Sequence, residues 1–161
     1  MARLTIKFRR RNEKKTDYKS RLAMLKSGKA RLVIRKSNKY VSAEIITSRN
    51  AQDSVICSAN SKDLKKLGWK NSFKNIQASY LTGFLIGTKA KKLNINEAIL
   101  DIGINISTKG SRIYSVLKGA LDAGLDMKYS EEIMPSEARI KGEHLKNKAD
   151  IGEFVEKIRS G

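Results

Sequence analysis

Arg31-Leu32-Val33-Ile34-Arg35-Lys36-Ser37-Asn38-Lys39-Tyr40-Val41-Ser42-Ala43-Glu44-Ile45-Ile46 is the stretch whose reading decides the fold. Leu32-Val33-Ile34 and residues 40–46 are short apolar runs with β-branched residues, and each reads as a strand. Ser37-Asn38-Lys39 between them is a turn, and so short a link implies an antiparallel hairpin. Residues 49–53 form another turn, and residues 54–59 give a third strand in series, completing a meander. Alternate residues of a strand share a face, so Arg31 and Arg35 point the same way with Val33 between them. No acid precedes Glu44 in this stretch, whereas solvated faces mostly alternate charge signs, so the face reads as an exposed one kept cationic for a partner.

Outward from the hairpin the period changes. Thr16 and Asp17 are N-cap candidates for a short helix that places Tyr18, Leu22 and Leu25 on one face and stops at Gly28. Ser61 or Asp63 starts another short helix that ends at Gly68, and Trp69 follows in a loop, its indole expected to pack on the body. Residues 76–93 are the most apolar helix, with apolar side chains around most of its circumference, so it belongs at the centre. Gly83 and Gly87, four apart, let a second backbone approach it closely. Residues 98–103 read as a strand, and Ile113, Val116, Leu117, Ala120 and Leu121 mark the buried face of a helix over 111–124. Helix, strand and helix in succession imply a crossover, so this last strand joins the sheet in parallel.

The expected fold class is therefore α/β: a single compact domain whose mixed sheet of about four strands, an antiparallel meander plus one parallel strand, is covered by two main helices. A basic N-terminal arm spans 1–14, the α/β domain 15–134, and a peripheral helical segment 135–161.

At 161 residues the chain has the size of one domain. Its net charge of +18 is unevenly placed. Residues 1–39 hold fifteen Lys or Arg against Glu13 and Asp17, a net of +13. Stability gives no reason to concentrate like charge, because self-repulsion opposes compaction. A polyanion, most simply a nucleic-acid backbone, is the expected partner.

A single cysteine, Cys57, excludes an internal disulfide framework and reads as a small core residue. The N-terminus has no continuous apolar segment of the secretory kind, and no stretch has the roughly 18 apolar residues of a membrane span. A cytoplasmic protein is expected, with no membrane and no small-molecule substrate.

Two places suit anion binding. In the hairpin, Lys29, Arg31, Arg35, Lys36 and Lys39 crowd one strand and its flanks beside Asn38 and Tyr40, and the planar guanidinium fork matches phosphate. In Asn105-Ile106-Ser107-Thr108-Lys109-Gly110-Ser111-Arg112, a polar loop opening a helix offers backbone N–H groups, with Lys109 and Arg112 adding charge. The P-loop spacing is absent. Catalysis is weakly supported. Asp101, Asp122 and Asp126 raise the alternative of a metal-dependent RNA-processing nuclease, and a DNA-architectural protein is a second alternative. His144, alone near the C-terminus, reads as surface or structural. No cofactor and no metal site is expected.

Lys15-Thr16-Asp17-Tyr18, Arg21-Leu22, Leu25-Lys26-Ser27-Gly28-Lys29 and the run from Arg31 to Lys39 together resemble the signature of the large-subunit ribosomal protein family number eighteen, the 5S-rRNA-binding one, in its archaeal and eukaryotic-type form. Later blocks agree: Tyr80-Leu81-Thr82-Gly83, Leu100-Asp101-Ile102-Gly103, Gly110-Ser111-Arg112, Lys118-Gly119-Ala120, Asp122-Ala123-Gly124-Leu125-Asp126 and Gly142-Glu143-His144. The resemblance implies a non-enzymatic constituent of the large ribosomal subunit. It would bind 5S rRNA in the central protuberance, with large-subunit rRNA and neighbouring ribosomal proteins as further partners. Carried over by position, the implied RNA-contacting residues begin with Arg3, Lys7, Arg9, Arg10, Arg11, Lys14 and Lys15 in the arm. Tyr18, Lys19, Arg21 and Lys26 follow in the first helix. The hairpin supplies Lys29, Arg31, Arg35, Lys36, Ser37, Asn38, Lys39 and Tyr40, and the later loop Lys109, Ser111 and Arg112. Two departures stand out: Ala30 occupies a position where the family often has proline, and Lys128-Tyr129 replaces a common Pro-His pair.

Overall fold

The computed structural model, which describes residues 7–50, 52–145 and 150–160, forms the hairpin from β1 (Arg31–Lys36) and β2 (Val41–Arg49). They pair antiparallel, Arg31 opposite Ile46 and Lys36 opposite Val41. β3 (Gln52–Asn60) pairs antiparallel with β2, with a bulge at Ile45/Ile46, and β4 (Ile99–Asp101) lies parallel to β1. The sheet order is β3-β2-β1-β4. The molecule is α/β with one mixed four-stranded sheet, as the period changes along the chain imply.

The helices are α1 (Arg9–Asn12), α2 (Tyr18–Lys26), α3 (Ile76–Lys92), α4 (Arg112–Asp122), α5 (Glu137–Lys141) and α6 (Ile151–Ser160). Their starts follow local chemistry. The Asp17 carboxylate accepts from the backbone N–H groups of Lys19 and Ser20, capping α2. The Asn75 side chain accepts from the N–H of Ala78 at 2.7 Å, capping α3. The stretch expected as a short helix after β3 is a 3₁₀ segment, Ser61–Leu67, closed by a reciprocal Asn60/Asp63 capping box. α2 buries none of its side chains fully, and Leu22 stays mostly exposed, so this is a surface helix attached by polar contacts.

One face of the sheet presents Leu32, Ile34, Val41, Ala43 and Ile45, all fully buried. They pack with Ile86 and Ala90 of α3 and with Ile113, Val116, Leu117 and Ala120 of α4. Each Leu or Ile so buried stabilises the fold by about 1.5–3 kcal/mol. α3 and α4 cross in near-backbone contact. A Cβ on Gly83 would sit 2.0 Å from the Val116 carbonyl oxygen, and one on Gly119 would sit 2.1 Å from that of Tyr80. The close approach expected at Gly83 is therefore real, and Gly119 is its counterpart.

A second apolar cluster joins Leu64, Trp69, Ala78, Leu81 and Phe84 to Phe154 and Ile158 of α6. Trp69 packs edge-on to Phe154 with ring centroids 5.1 Å apart, as the packed indole reading requires. The C-terminal segment, read from sequence as peripheral, thus supplies Phe154 and Ile158 to this cluster, and Ile140 of α5 is buried as well. β4 is shorter than the expected 98–103, because the Asp101 carboxylate accepts from the N–H of Gly103 at 2.8 Å and Gly103 turns the chain with φ +62°. β3 is an edge strand whose Val55 and Ile56 are exposed.

Candidate nucleic-acid interface

The structure divides the cations of the basic front into those that the fold consumes and those that it leaves to solvent. Arg31 is consumed. Its side chain is 2% exposed; Nη1 lies 3.0 Å from Asp101 Oδ2, and Nη2 donates to Asp53 Oδ1 at 2.8 Å and to Ser48 Oγ at 3.1 Å. The expectation of a solvent-facing guanidinium is corrected here. Arg31 and Arg35 do share a face, but that face is covered at Arg31, Val33 and Ile46. Desolvating a guanidinium is costly unless carboxylates and hydrogen bonds replace its water, and Asp53, Asp101 and Ser48 do so.

The same acids tie neighbouring elements together. Asp53 also takes Nη2 of Arg21 at 2.8 Å, joining α2 to the sheet. Burial pushes the Asp53 carboxyl up, but hydrogen bonds from Ser48, Arg21 and Arg31 outweigh it and hold the group below its ordinary value. Arg35 lies over Gly103, donating to the carbonyls of Ile34 at 2.9 Å and Asp101 at 3.2 Å, with half its side chain still exposed. Lys29 pairs with Glu97 at the surface, and that hydrogen bond raises its pKa. The pair is exposed, so it holds Lys29 only weakly against a competing phosphate.

Several expected site residues converge. Arg10, Lys15, Arg21 and Arg35 line one cleft of about 330 Å³ between the arm, α2 and the end of β4. Arg10 is steadied there by a 2.9 Å bond to Thr16 Oγ1. Phe8 packs on Tyr18 at 5.3 Å between centroids and so docks the arm onto α2. Glu13 takes Lys15 and Arg9, each at 2.8 Å; the Lys15 hydrogen bond, more than that from Arg9, holds its carboxyl low. Lys7, Arg11, Lys14, Lys19 and Lys26 are exposed. Arg3 lies outside the described residues.

The β1–β2 turn, which follows Arg35 directly, carries a second basic surface. It is organised by Ser37, whose Oγ accepts from the N–H groups of Lys39 and Tyr40. Lys36, Asn38 and Lys39 stand exposed around it. Arg112 reaches across and donates to the carbonyls of Ser37 and Lys74, both at 3.3 Å. Arg112 therefore clamps the turn to the 70–75 loop. That loop adds Lys70 and Lys74, both exposed, and Phe73 beside Tyr40. Sequence reasoning missed these residues. The signal was present: residues 64–96 contain seven lysines and no acid, and Trp69-Lys70-Asn71-Ser72-Phe73-Lys74-Asn75 interleaves aromatic and basic side chains.

The loop before α4 offers less to an anion than its composition implies. The N–H of Gly110 donates to the Ile133 carbonyl at 2.9 Å and that of Ser111 to Thr108 at 3.2 Å. Ser111 occupies the N-cap position without a side-chain cap bond, its Oγ buried and unpartnered. Lys109 lies 3.6 Å from Glu132 in an exposed pair.

A family profile described as "Ribosomal large subunit proteins 60S L5, and 50S L18" matches residues 2–98 and 89–130. The large ribosomal subunit protein uL18 of Korarchaeum cryptofilum is 53% identical over 97% of this chain and 77% of its own length. Those of Methanococcus maripaludis and Halobacterium salinarum are 48% and 44% identical over 92% of the chain, covering 77% and 81% of their own lengths. The chain belongs to this ribosomal family. It is accordingly a structural constituent of the large ribosomal subunit, in the cytoplasm, and not an enzyme.

Membership in the family removes the nuclease alternative. Asp101 is engaged by Arg31 and Arg35; Asp122 accepts from Tyr80 Oη at 2.9 Å and pairs with Lys118 at 3.0 Å. Burial first, then Asp122, pushes the Tyr80 hydroxyl far up. The backbone of Asp126 bonds to Asn96 and Ala98. Among the described residues no group of three potential metal ligands forms. Cys57 is half-buried against the main core, where burial raises its thiol pKa. His144 is exposed. Among the described residues no helix is long and apolar enough to cross a membrane.

Proposed function

We propose that this chain binds 5S rRNA and helps attach it to the central protuberance of the large subunit, contacting large-subunit rRNA and neighbouring ribosomal proteins as well. One observation carries the reading of a basic docking face. The fold spends carboxylates on Arg21, Arg31 and Lys29, yet Arg10, Arg11, Lys14, Lys36 and Lys39 make no ion pair among the described residues. Cations left without a carboxylate in contact favour a phosphate backbone. The choice of 5S rRNA is supported by the resemblance of residues 15–39 to the 5S-binding signature.

Affinity comes mainly from phosphate neutralisation. Specificity comes from RNA shape, 2′-hydroxyls and the few bases that stand out of helices. Arg9, Arg10, Arg11 and Lys15 of the 1–14 arm and its border, with Arg35 in the shared cleft, form one contact surface. Lys36, Ser37, Asn38, Lys39 and Tyr40 form the other. Arg31 contributes by holding β1 and β4 in place.

The test is a titration of the full chain with 5S rRNA, transfer RNA and duplex DNA at one salt concentration. Preference for 5S rRNA, with loss of that preference on replacing Arg9, Arg10 and Arg11 by Gln, supports the proposal. Equal affinity for duplex DNA favours the DNA-architectural alternative and sinks it.

A further inference from the structure

We propose that the β1–β2 turn and the 70–75 loop form a seat for one unpaired ribonucleotide, its base stacked on the Tyr40/Phe73 ring pair and its flanking phosphates held by Lys39, Lys70 and Lys74. The inference rests on the RNA-binding reading above and adds a site and a ligand class to it.

Three features of the place point to that ligand. The first is aromatic. Tyr40 and Phe73 are both half-buried, their centroids 5.9 Å apart and their planes tilted by 42°. Phe73 is backed on one side by the Trp69 cluster, so its ring is held in place while part of it stays open. A ring that is firmly backed and still partly open to solvent can serve as a stacking platform.

The second is charge. The rings border a hollow of about 400 Å³ lined with Lys39, Lys70, Lys74 and the polar side chains of Asn38 and Ser72, and no carboxylate lines it. Lys39, Lys70 and Lys74 make no ion pair among the described residues. At Arg21, Arg31 and Lys29 the fold supplies acids; around this hollow, among the described residues, it supplies none.

The third is rigidity. Ser37 closes the turn. The indole N–H of Trp69 donates to the Ser72 carbonyl at 3.3 Å, and Arg112 clamps Ser37 and Lys74. Preformed sites lose little freedom on binding, so they hold a ligand better than loose side chains of the same composition. In a paired A-form helix the base faces are hidden by stacking. Only a base that has left the stack presents a face to these rings, which makes the ligand an unpaired nucleotide and not a duplex.

The test uses the full chain with intact 5S rRNA and intact large-subunit rRNA. Phe73→Leu keeps an apolar side chain and removes the stack; it should weaken binding to the RNA that carries the base by about tenfold, a typical loss for one stacked base. Phe73→Tyr should restore it. The exposed pair Lys70→Gln/Lys74→Gln leaves the core untouched and should lower the slope of log affinity against log salt by about 1.5. Ultraviolet crosslinking should join a tryptic peptide holding Phe73 or Tyr40 to a nucleotide that chemical probing finds unpaired.

Full affinity for both RNAs in Phe73→Leu and in the lysine pair overturns the seat, as does a crosslink to a base-paired nucleotide. If the unmodified chain shows no preference for 5S rRNA, the 5S assignment fails while the seat is still scored on large-subunit rRNA. If it does show the preference and both variants bind as well as the unmodified chain, only the seat fails.

Discussion

Replacing Arg31 by Met separates a residue that builds the interface from one that touches RNA. The guanidinium is 2% exposed and faces Asp101, itself 7% exposed, and Asp53, 32% exposed. Removing one member of a buried ion pair costs about 3–5 kcal/mol, mostly because the remaining charge loses its partner. Neither acid is wholly stranded here. Asp101 keeps Arg35 at 3.6 Å and the Gly103 N–H, and Asp53 keeps Arg21 and Ser48. The lower end, about 3 kcal/mol, is therefore expected. For a chain of this size each kcal/mol shifts Tm by about 2–4 °C, so the variant should melt roughly 6–12 °C lower. Far-UV circular dichroism against temperature measures this. Titration with rRNA well below that melting point should give an affinity within about threefold of the unmodified chain, since surface cations and not Arg31 meet phosphate. An unchanged Tm combined with a large loss of rRNA affinity would refute the reasoning and return Arg31 to the contact set.

Lys36→Gln/Lys39→Gln should leave urea stability within about 0.5 kcal/mol while lowering the salt slope of rRNA binding by about 1.5–2; a steep stability loss with an unchanged slope would contradict it. Gly83→Ala should cost at least about 1–3 kcal/mol by urea unfolding, because its Cβ meets the Val116 carbonyl and not a side chain that can swing away. Asp17→Ala removes the cap of α2 and should cost about 1 kcal/mol, seen as faster amide exchange in residues 18–22 with the sheet unaffected. Asp53 gives a pH dependence. Its folded carboxyl lies below its ordinary value, so its contribution is present above the unfolded pKa and is lost as pH falls through the folded one. Acid titration followed by circular dichroism should show this loss below about pH 4, and Arg21→Met should make it shallower.

The sheet was legible because its signals are local. Leu32, Ile34, Val41, Ala43 and Ile45 alternate within a few residues of one turn, and the structure buries all five. Gly83 was legible as a close-approach point, although its partner face, Val116 and Gly119, lies more than thirty positions on. Arg31 was not legible as a buried residue. Its acids come 22 and 70 positions later, and nothing near Arg31 distinguishes it from Arg35, which the structure leaves half exposed. The loop before α4 also misled: its polar composition implies free N–H groups, but the Ile133 carbonyl arrives from outside the segment to take one. Lys70, Phe73 and Lys74 were not legible as neighbours of the hairpin, because they lie more than thirty positions from Ser37 and Arg112 brings the two segments together in space.

β3 has a further consequence for the protein before it joins its subunit. Nine residues long, with Val55 and Ile56 exposed and no lysine or proline of its own, it offers its outer edge to a second copy, although Lys89 covers the Ser58 carbonyl at 2.7 Å. Mutual repulsion at +18 keeps copies apart in dilute buffer. Concentrated salt shortens the range of that repulsion to about 3 Å at 1 M, and a scavenged polyanion cancels it outright. Washing away contaminating nucleic acid with strong salt thus exposes the naked molecule to strand-to-strand clumping at the moment of its greatest purity.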